Sequence, residues 1–161
     1  MDYIIRTVRA NDNRQLAVII RSCFYDFAAP TIGTVFEDPT TDELFELFQQ
    51  EKSVLFVAEI QGIPVGCCGL FPTVGLSENC VELVKFYLMK EYRDQGIGKE
   101  LFNTCMEQAK QFGFKQVYIE SLPEFASAVR IYDYHGFTQL QEPLGNSGHT
   151  GCKLWMIKEL N

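Results

Sequence analysis

The stretch that decides the fold reads ELVKFYLMKEYRDQGIGKEL, from Glu82 to Leu101. Its first part predicts a strand, residues 90–95 a tight connection, and Gly96-Ile97-Gly98 the start of a helix. Glycines let the backbone approach a ligand closely, and the unpaired amides of a helix's first turn suit phosphate groups. Arg93 and Lys99 add positive charge on both sides of the glycines. The stretch therefore indicates a phosphate-binding loop, with an ordinary glycine-containing helix start as the alternative.

The flanking sequence predicts the element order β-α-α-β-β-β-α-β-α-β-β, which favours a mixed α/β (α+β) sheet with helices on its faces. Three consecutive strands in the middle argue against a plain doubly wound fold. The predicted strands span 4–9, 54–60, 65–71, 80–89, 116–122, 137–140 and 152–157. The predicted helices span about 13–24, 41–51, 96–112 and 124–134.

Composition narrows the class of protein. The 161 residues are 47% hydrophobic and 22% charged, as in a globular domain, so we expect a single domain spanning 1–161. A net charge of −7 argues against nucleic-acid binding, and the apolar runs are too short to span a membrane. Six scattered cysteines predict buried thiols and no metal site. The Met-Asp-Tyr start, unlike a signal peptide, predicts a cytoplasmic protein.

Two common nucleotide motifs do not match the glycine loop. A dinucleotide fingerprint needs a third glycine where Leu101 stands, and a P-loop needs serine or threonine where Glu100 stands. The loop Arg93-Asp94-Gln95-Gly96-Ile97-Gly98 instead resembles the acetyl-CoA loop of GNAT-type N-acetyltransferases, Arg/Gln-x-x-Gly-x-Gly/Ala. The strand before it, the helix after it, and Ala128–Tyr132 with Gly136-Phe137 resemble the same superfamily.

This resemblance implies a mostly antiparallel sheet of six to seven strands, about four helices, and splayed fourth and fifth strands that hold acetyl-CoA. The backbone of Phe86–Met89 would bind pantetheine, and amides of the glycine loop would cradle the pyrophosphate. Phe125 stands where many relatives have asparagine, a contact that Ser127 or the backbone could replace. The implied cofactor residues are Phe86, Tyr87, Leu88, Met89, Arg93, Asp94, Gln95, Gly96, Ile97, Gly98, Lys99 and Ser127.

The resemblance also assigns two catalytic candidates. Acetyl transfer needs a neutral amine and a proton for the departing thiolate. Tyr132 matches the family's general acid, with a core tyrosine as the alternative. Glu82 matches a general base used by some members. If its strand is regular, Glu82 shares an apolar face with Phe86 and Leu88, where desolvation raises a carboxyl pKa; a solvated carboxylate is the alternative.

The acceptor residues implied are Phe24, Tyr25, Glu120 and His149. Glu120 is also a second candidate for the base, with a structural hydrogen bond as its alternative, and an ordinary loop histidine is the alternative for His149. Carboxylates and aromatic residues around the first two helices favour a cationic or amine-bearing acceptor, and a solvated acidic helix face is the alternative. The leading interpretation is direct attack by a small primary amine in a ternary complex. A protein or peptide acceptor and a non-catalytic acyl-CoA-binding module remain alternatives. A homodimer through the last strand is compatible with the family.

Overall fold

Seven strands form one sheet in the computed structural model, which describes residues 1–161. They are β1 (Ile4–Thr7), β2 (Val54–Ile60), β3 (Ile63–Phe71), β4 (Cys80–Leu88), β5 (Gln116–Ser121), β6 (Thr138–Leu140) and β7 (Leu154–Glu159). Their order across the sheet is β1-β2-β3-β4-β5-β7-β6. Only β4 and β5 pair in parallel, so the predicted mixed, mostly antiparallel sheet is confirmed.

Four helices cover the two faces of this sheet. They are α1 (Asn13–Asp26), α2 (Leu44–Leu47), α3 (Ile97–Gln111) and α4 (Ala126–Tyr134). Alternate residues of a strand point to opposite faces, so Leu55 and Val57 of β2 pack with α1, whereas Ala58 packs with α3. None of the helices combines the length and apolarity needed to cross a membrane. The six cysteines are all buried, as predicted.

The second helix is much shorter than the predicted span 41–51. A 3-10 turn covers Pro39–Asp42, and only Leu44–Leu47 is α-helical. Glu43 between them has φ −132° and ψ 45°, outside the helical region. The backbone N–H of Phe45 is bonded to Oδ1 of Asn13 at 2.8 Å, so a side chain of α1 replaces a helical bond. The apolar spacing alone could not reveal this contact.

A bulge interrupts β4 at Lys85. Val84 lies opposite Gly69 and Tyr87 opposite Cys67, so β4 carries one extra residue, and Lys85 has a φ of 57° in the left-handed region. The extra residue reverses the alternation of faces. Phe86 therefore packs on the α3 side, and Tyr87 on the α1 side. The expectation that Glu82 shares a face with Phe86 and Leu88 assumed a regular strand and is wrong beyond the bulge.

The predicted splay of β4 and β5 is confirmed. The two strands pair only where Cys80–Glu82 lie opposite Gln116–Tyr118. Beyond Glu82, the facing edges have no partner strand, which leaves backbone N–H and C=O groups available along a gap in the sheet. Both cavities described below lie at this gap.

Candidate active site

A cleft of about 530 Å³ lies between the second half of β4, the start of α3 and α4. Its volume is within the range of small-molecule and cofactor sites. We call it the α3 cleft. Nine of the predicted cofactor residues line it: Phe86, Tyr87, Leu88, Arg93, Asp94, Gly96, Gly98, Lys99 and Ser127.

Free backbone donors lie at one end of the α3 cleft. Asp94 and Gly96 have φ of 61° and 91°, and these left-handed residues turn the chain sharply into α3. No side chain caps α3, and its first internal bond runs from the N–H of Glu100 to the oxygen of Gly96. The N–H groups of the preceding first-turn residues stay unpaired, and the helix dipole favours an anion there. This end therefore fits a pyrophosphate group.

Three other predicted cofactor residues lie outside the lining of the α3 cleft. The N–H of Met89 is already donated to the oxygen of Val65 at 2.9 Å. Ile97 is buried in the core against the sheet. The side chain of Gln95 donates to the backbone oxygen of Glu91 at 3.0 Å. Of these three residues, only Gln95 and Ile97 belong to the glycine loop, and their backbone lies next to Gly96 and Gly98, which line the α3 cleft.

Arg93 connects the loop to the end of α1. Its guanidinium donates to Asp26 at 2.8 Å and to the backbone oxygen of Leu88 at 2.9 Å. It also lies 4.6 Å from the ring centroid of Phe27. These contacts hold the charge against α1, so we assign Arg93 a role in positioning the loop as well as in lining the cleft.

Arg130 is a cleft residue that no sequence motif indicated. Arg130 is exposed on α4 and lines the α3 cleft, and its guanidinium lies 3.4 Å from the hydroxyl of Ser127. The signal that could have found it is its position one helical turn after Ser127, which was already a cofactor candidate. Together with Lys99, it makes the cleft wall positively charged.

A second, much smaller cavity of about 60 Å³ adjoins the first, on the α1 side of β4. We call it the inner cavity. It contains Glu82, Glu120, His149 and Tyr132 in its lining. It shares four lining residues with the α3 cleft: Phe86, Tyr87, Phe125 and Ala128. The two cavities thus meet at the bulged part of β4.

Phe125 stands at this junction and packs edge-on against other aromatic rings. Its ring centroid lies 5.1 Å from that of Phe24, 5.6 Å from Phe27 and 5.9 Å from Tyr87. An asparagine could not replace this apolar packing. The departure from the family pattern therefore adds an aromatic wall between the two cavities.

Glu82 is a buried carboxyl group in the inner cavity, only 3% exposed. Burial raises its pKa to about 7; the hydroxyl of Thr73, which donates to Oε1 at 2.6 Å, acts against this, and the charge of Glu120 adds to it. A carboxyl with a pKa near neutrality can accept and release a proton at physiological pH.

Tyr132 is buried under the same cavity. Its ring packs against Phe86, Phe102 and Phe137, with centroids about 6 Å apart. Burial raises the pKa of its phenol well above the ordinary value, with further contributions from the nearby thiols Cys68 and Cys105. Tyr132 therefore stays protonated at physiological pH, the form that carries a proton to donate.

Glu120 and His149 are held by polar contacts at the rim. The hydroxyl of Tyr118 donates to Glu120 at 2.7 Å, and the hydroxyl of Ser147 donates to its other oxygen. Nε2 of His149 lies 2.7 Å from Oδ2 of Asp38. Burial would raise the pKa of Asp38, but hydrogen bonds from His149 and Thr40 lower it to about 2. The loop before β7 is thus joined to the loop after α1.

The other two acceptor candidates, Phe24 and Tyr25, lie in different places. Phe24 is buried and lines the inner cavity. Tyr25, the next residue on α1, is 72% exposed and lines a separate surface depression with Arg21 and Asp42. Of the carboxylates near α1, Asp26 and Asp42 pair with arginines, whereas Asp38 is bonded to His149, which lines the inner cavity.

A sheet that opens between parallel strands, a helix start suited to an anion and an adjoining polar cavity are features that fit an enzyme of the group-transfer class. The family model described as "Acetyltransferase (GNAT) family" matches residues 16–137. The chain belongs to the GNAT acetyltransferase family and is an N-acetyltransferase.

Several relatives agree with this assignment. An uncharacterized N-acetyltransferase of Escherichia coli, YjgM, is 34% identical over 159 residues, covering 98% of this chain and 95% of its own. A GNAT acetyltransferase of Staphylococcus aureus superposes with a TM-score of 0.86 at 19% identity, over 99% and 100% of the two chains. YncA of Salmonella typhimurium, solved with acetyl-CoA, has a TM-score of 0.77 at 18% identity, over 99% and 94%.

Proposed function

We propose that this protein transfers the acetyl group of acetyl-CoA to a primary amine of a small molecule, by direct attack in a ternary complex. The observation that supports this most strongly is the junction of the α3 cleft with the acidic inner cavity. Glu82 and Tyr132 both line the inner cavity next to that junction. We further propose that residues 1–161 form one catalytic domain that works in the cytoplasm.

The residues of the α3 cleft fit acetyl-CoA. The unpaired amides at the start of α3, with Lys99 and Arg130, would hold the pyrophosphate. The open edge of β4 around Phe86–Leu88 would hold the pantetheine arm in the gap before β5. When bound, acetyl-CoA supplies an acetyl group activated as a thioester.

Glu82 and Tyr132 would handle the protons of the reaction. A primary amine with a pKa near 10 is mostly protonated at neutral pH and must lose a proton before it attacks. Glu82 would accept this proton, because its pKa of about 7 leaves it ionised at slightly alkaline pH. As the bond from nitrogen to the acetyl carbon forms and the carbon–sulfur bond breaks, Tyr132 would donate a proton to the sulfur. The second proton, which nitrogen loses on becoming an amide, would restore the phenol of Tyr132.

The size of the inner cavity favours a small acceptor. Its volume of about 60 Å³ has room for only a few groups the size of a water molecule. The packed rings of Phe24 and Phe125 form part of its lining, so a lysine on the surface of a folded protein would have to enter with its bulky neighbourhood outside. We therefore place a small-molecule amine ahead of a protein acceptor.

Thermal unfolding with and without acetyl-CoA tests the donor site. Ligand at about 100 times its Kd adds roughly 2.7 kcal/mol, which raises Tm by several degrees in a domain of this size. A rise with acetyl-CoA and CoA, and none with NAD or ATP, is expected. No rise with either CoA compound at saturation would overturn the proposal.

Release of free CoA thiol then tests the transfer itself, with panels of small amines and of peptides. Faster release with small amines is expected. Binding of acetyl-CoA without turnover by any amine would instead identify an acyl-CoA-binding module, and turnover by peptides alone would identify a protein acetyltransferase.

A further inference from the structure

Lys85 is a buried lysine in the lining of the inner cavity, on the bulge of β4. The residue is 6% exposed. Its ammonium group takes part in none of the ion pairs or side-chain hydrogen bonds within the protein. A buried charge without a partner is costly, so proteins rarely retain one unless something else completes the site.

The ammonium group remains reachable from the inner cavity. The only fully enclosed side-chain oxygen or nitrogen that lacks a partner is Oε2 of Glu124. Nζ of Lys85 has no partner and is not fully enclosed, and Lys85 is one of the residues that line the inner cavity. Burial lowers the pKa of Lys85, while the charges of Asp38 and Glu82 act in the opposite direction and favour the ammonium form.

The carboxylates around Lys85 are occupied by other groups. Both oxygens of Glu120 accept hydroxyl groups, and Glu82 accepts from Thr73. Asp38 is bonded to His149 and to Thr40. Two basic side chains line the cavity: His149 is paired with Asp38, whereas Lys85 has no carboxylate bonded to it. An acceptor with only an amine would leave Lys85 unmatched.

We propose that Lys85 binds the carboxylate of an α-amino acid whose α-amine is the group acetylated. This inference rests on the proposed acetyltransferase function and specifies its acceptor. An α-amino group and its carboxylate are separated by one carbon, so both fit within a cavity of about 60 Å³. The amine then lies on the side of Glu82, the proposed base, three residues before Lys85 on the same strand.

The test compares each common L-amino acid with its α-amide, using wild type, Lys85→Met and Lys153→Met. The amide keeps the amine and side chain but lacks the carboxylate. Methionine is close to lysine in length and lacks the charge, and Lys153 is an exposed lysine outside the cavity that serves as the matched control. Initial rates of thiol release give kcat and KM for each acceptor.

Wild type and Lys153→Met should prefer the free acid over its amide by roughly 10- to 100-fold in kcat/KM, the range of a hydrogen bond to a charged group. Lys85→Met should lose this preference, mainly through a higher KM for the acid, while activity on the amide persists. Comparing the acid-to-amide ratio between proteins cancels any effect of the substitution on Glu82, because both acceptors use the same base.

Equal use of acid and amide by wild type would overturn the inference, as would an unchanged preference in Lys85→Met. The comparison of acid and amide in wild type can overturn the inference even if Lys85→Met does not fold. Thermal unfolding with acetyl-CoA checks whether the variant is folded. Acetylation of other amines, such as polyamines, with no amino acid used, would overturn the inference and leave the proposed function standing. Absence of turnover with every amine would overturn both.

Discussion

Replacing Glu82 with glutamine tests the most unusual carboxyl group of the protein. Its pKa of about 7 in the folded protein compares with an ordinary value of 4.5, because burial disfavours the charged form. This difference is equivalent to about 3 kcal/mol of unfolding free energy. Glutamine keeps the shape of the side chain and has no titratable proton. The substitution therefore removes only the pH-dependent part of the unfolding free energy.

The sign follows from the raised pKa. Between about pH 4.5 and pH 7, the folded protein binds this proton more tightly than the unfolded chain does. The stabilisation is therefore full below pH 4.5 and is lost as the pH rises through 7. Above pH 7, wild type carries an ionised buried carboxylate whose charge the glutamine variant lacks.

Urea unfolding at pH 5 and pH 8.5 measures this effect. From the lower to the higher pH, wild type should lose about 2 to 3 kcal/mol more unfolding free energy than Glu82→Gln. Glu78→Gln, which changes an exposed carboxylate just before β4, is the control and should follow wild type. Parallel pH dependence of wild type and Glu82→Gln would refute the argument from burial.

Three further outcomes are expected. Tyr132→Phe should lower kcat by roughly 10²-fold or more while the rise in Tm with acetyl-CoA stays unchanged; an unchanged kcat would exclude Tyr132 as the acid. Thr73→Val removes a hydrogen bond to the ionised form of Glu82. The acid limb of the pH profile of kcat/KM should therefore move up by about 1 to 2 pH units. The control Thr104→Val, on α3, should leave this limb unchanged. Gly96→Ala places a residue with a side chain at a φ of 91°. This should lower the unfolding free energy in urea by about 1 to 2 kcal/mol and weaken acetyl-CoA binding. Wild-type stability and affinity in this variant would contradict the expectation.

Much of the fold was predictable because it depends on local patterns. The stripe of Leu101, Phe102 and Cys105 predicts α3, and the Gln61-Gly62 turn predicts the hairpin of β2 and β3. Both features are read from residues close together in the sequence. The element order followed from such patterns, and the resemblance of the glycine loop and its flanking segments to a known superfamily implied the nine cleft residues.

The rest depends on contacts between distant residues. The single-residue bulge at Lys85 reverses the faces of Phe86 and Tyr87, and alternation of apolar residues cannot show where an extra residue falls. The side chain of Asn13, 32 residues earlier in the sequence, bonds the N–H of Phe45 in α2 and replaces a helical bond there. Whether Glu82, Tyr132 and His149 act in one reaction stays a prediction, although they line one cavity.

The attachment of Arg93 to α1 has a consequence for the order of events in turnover. One end of α1 contacts the loop at the α3 cleft through Asp26, while Phe24, two residues earlier, lines the inner cavity. A ligand that orders the loop also fixes the helix that forms the wall of the second site. Part of the entropy cost of binding the amine is then met when the first substrate binds. This attachment predicts that the two binding events are thermodynamically linked, so that each substrate raises the affinity for the other by the same factor.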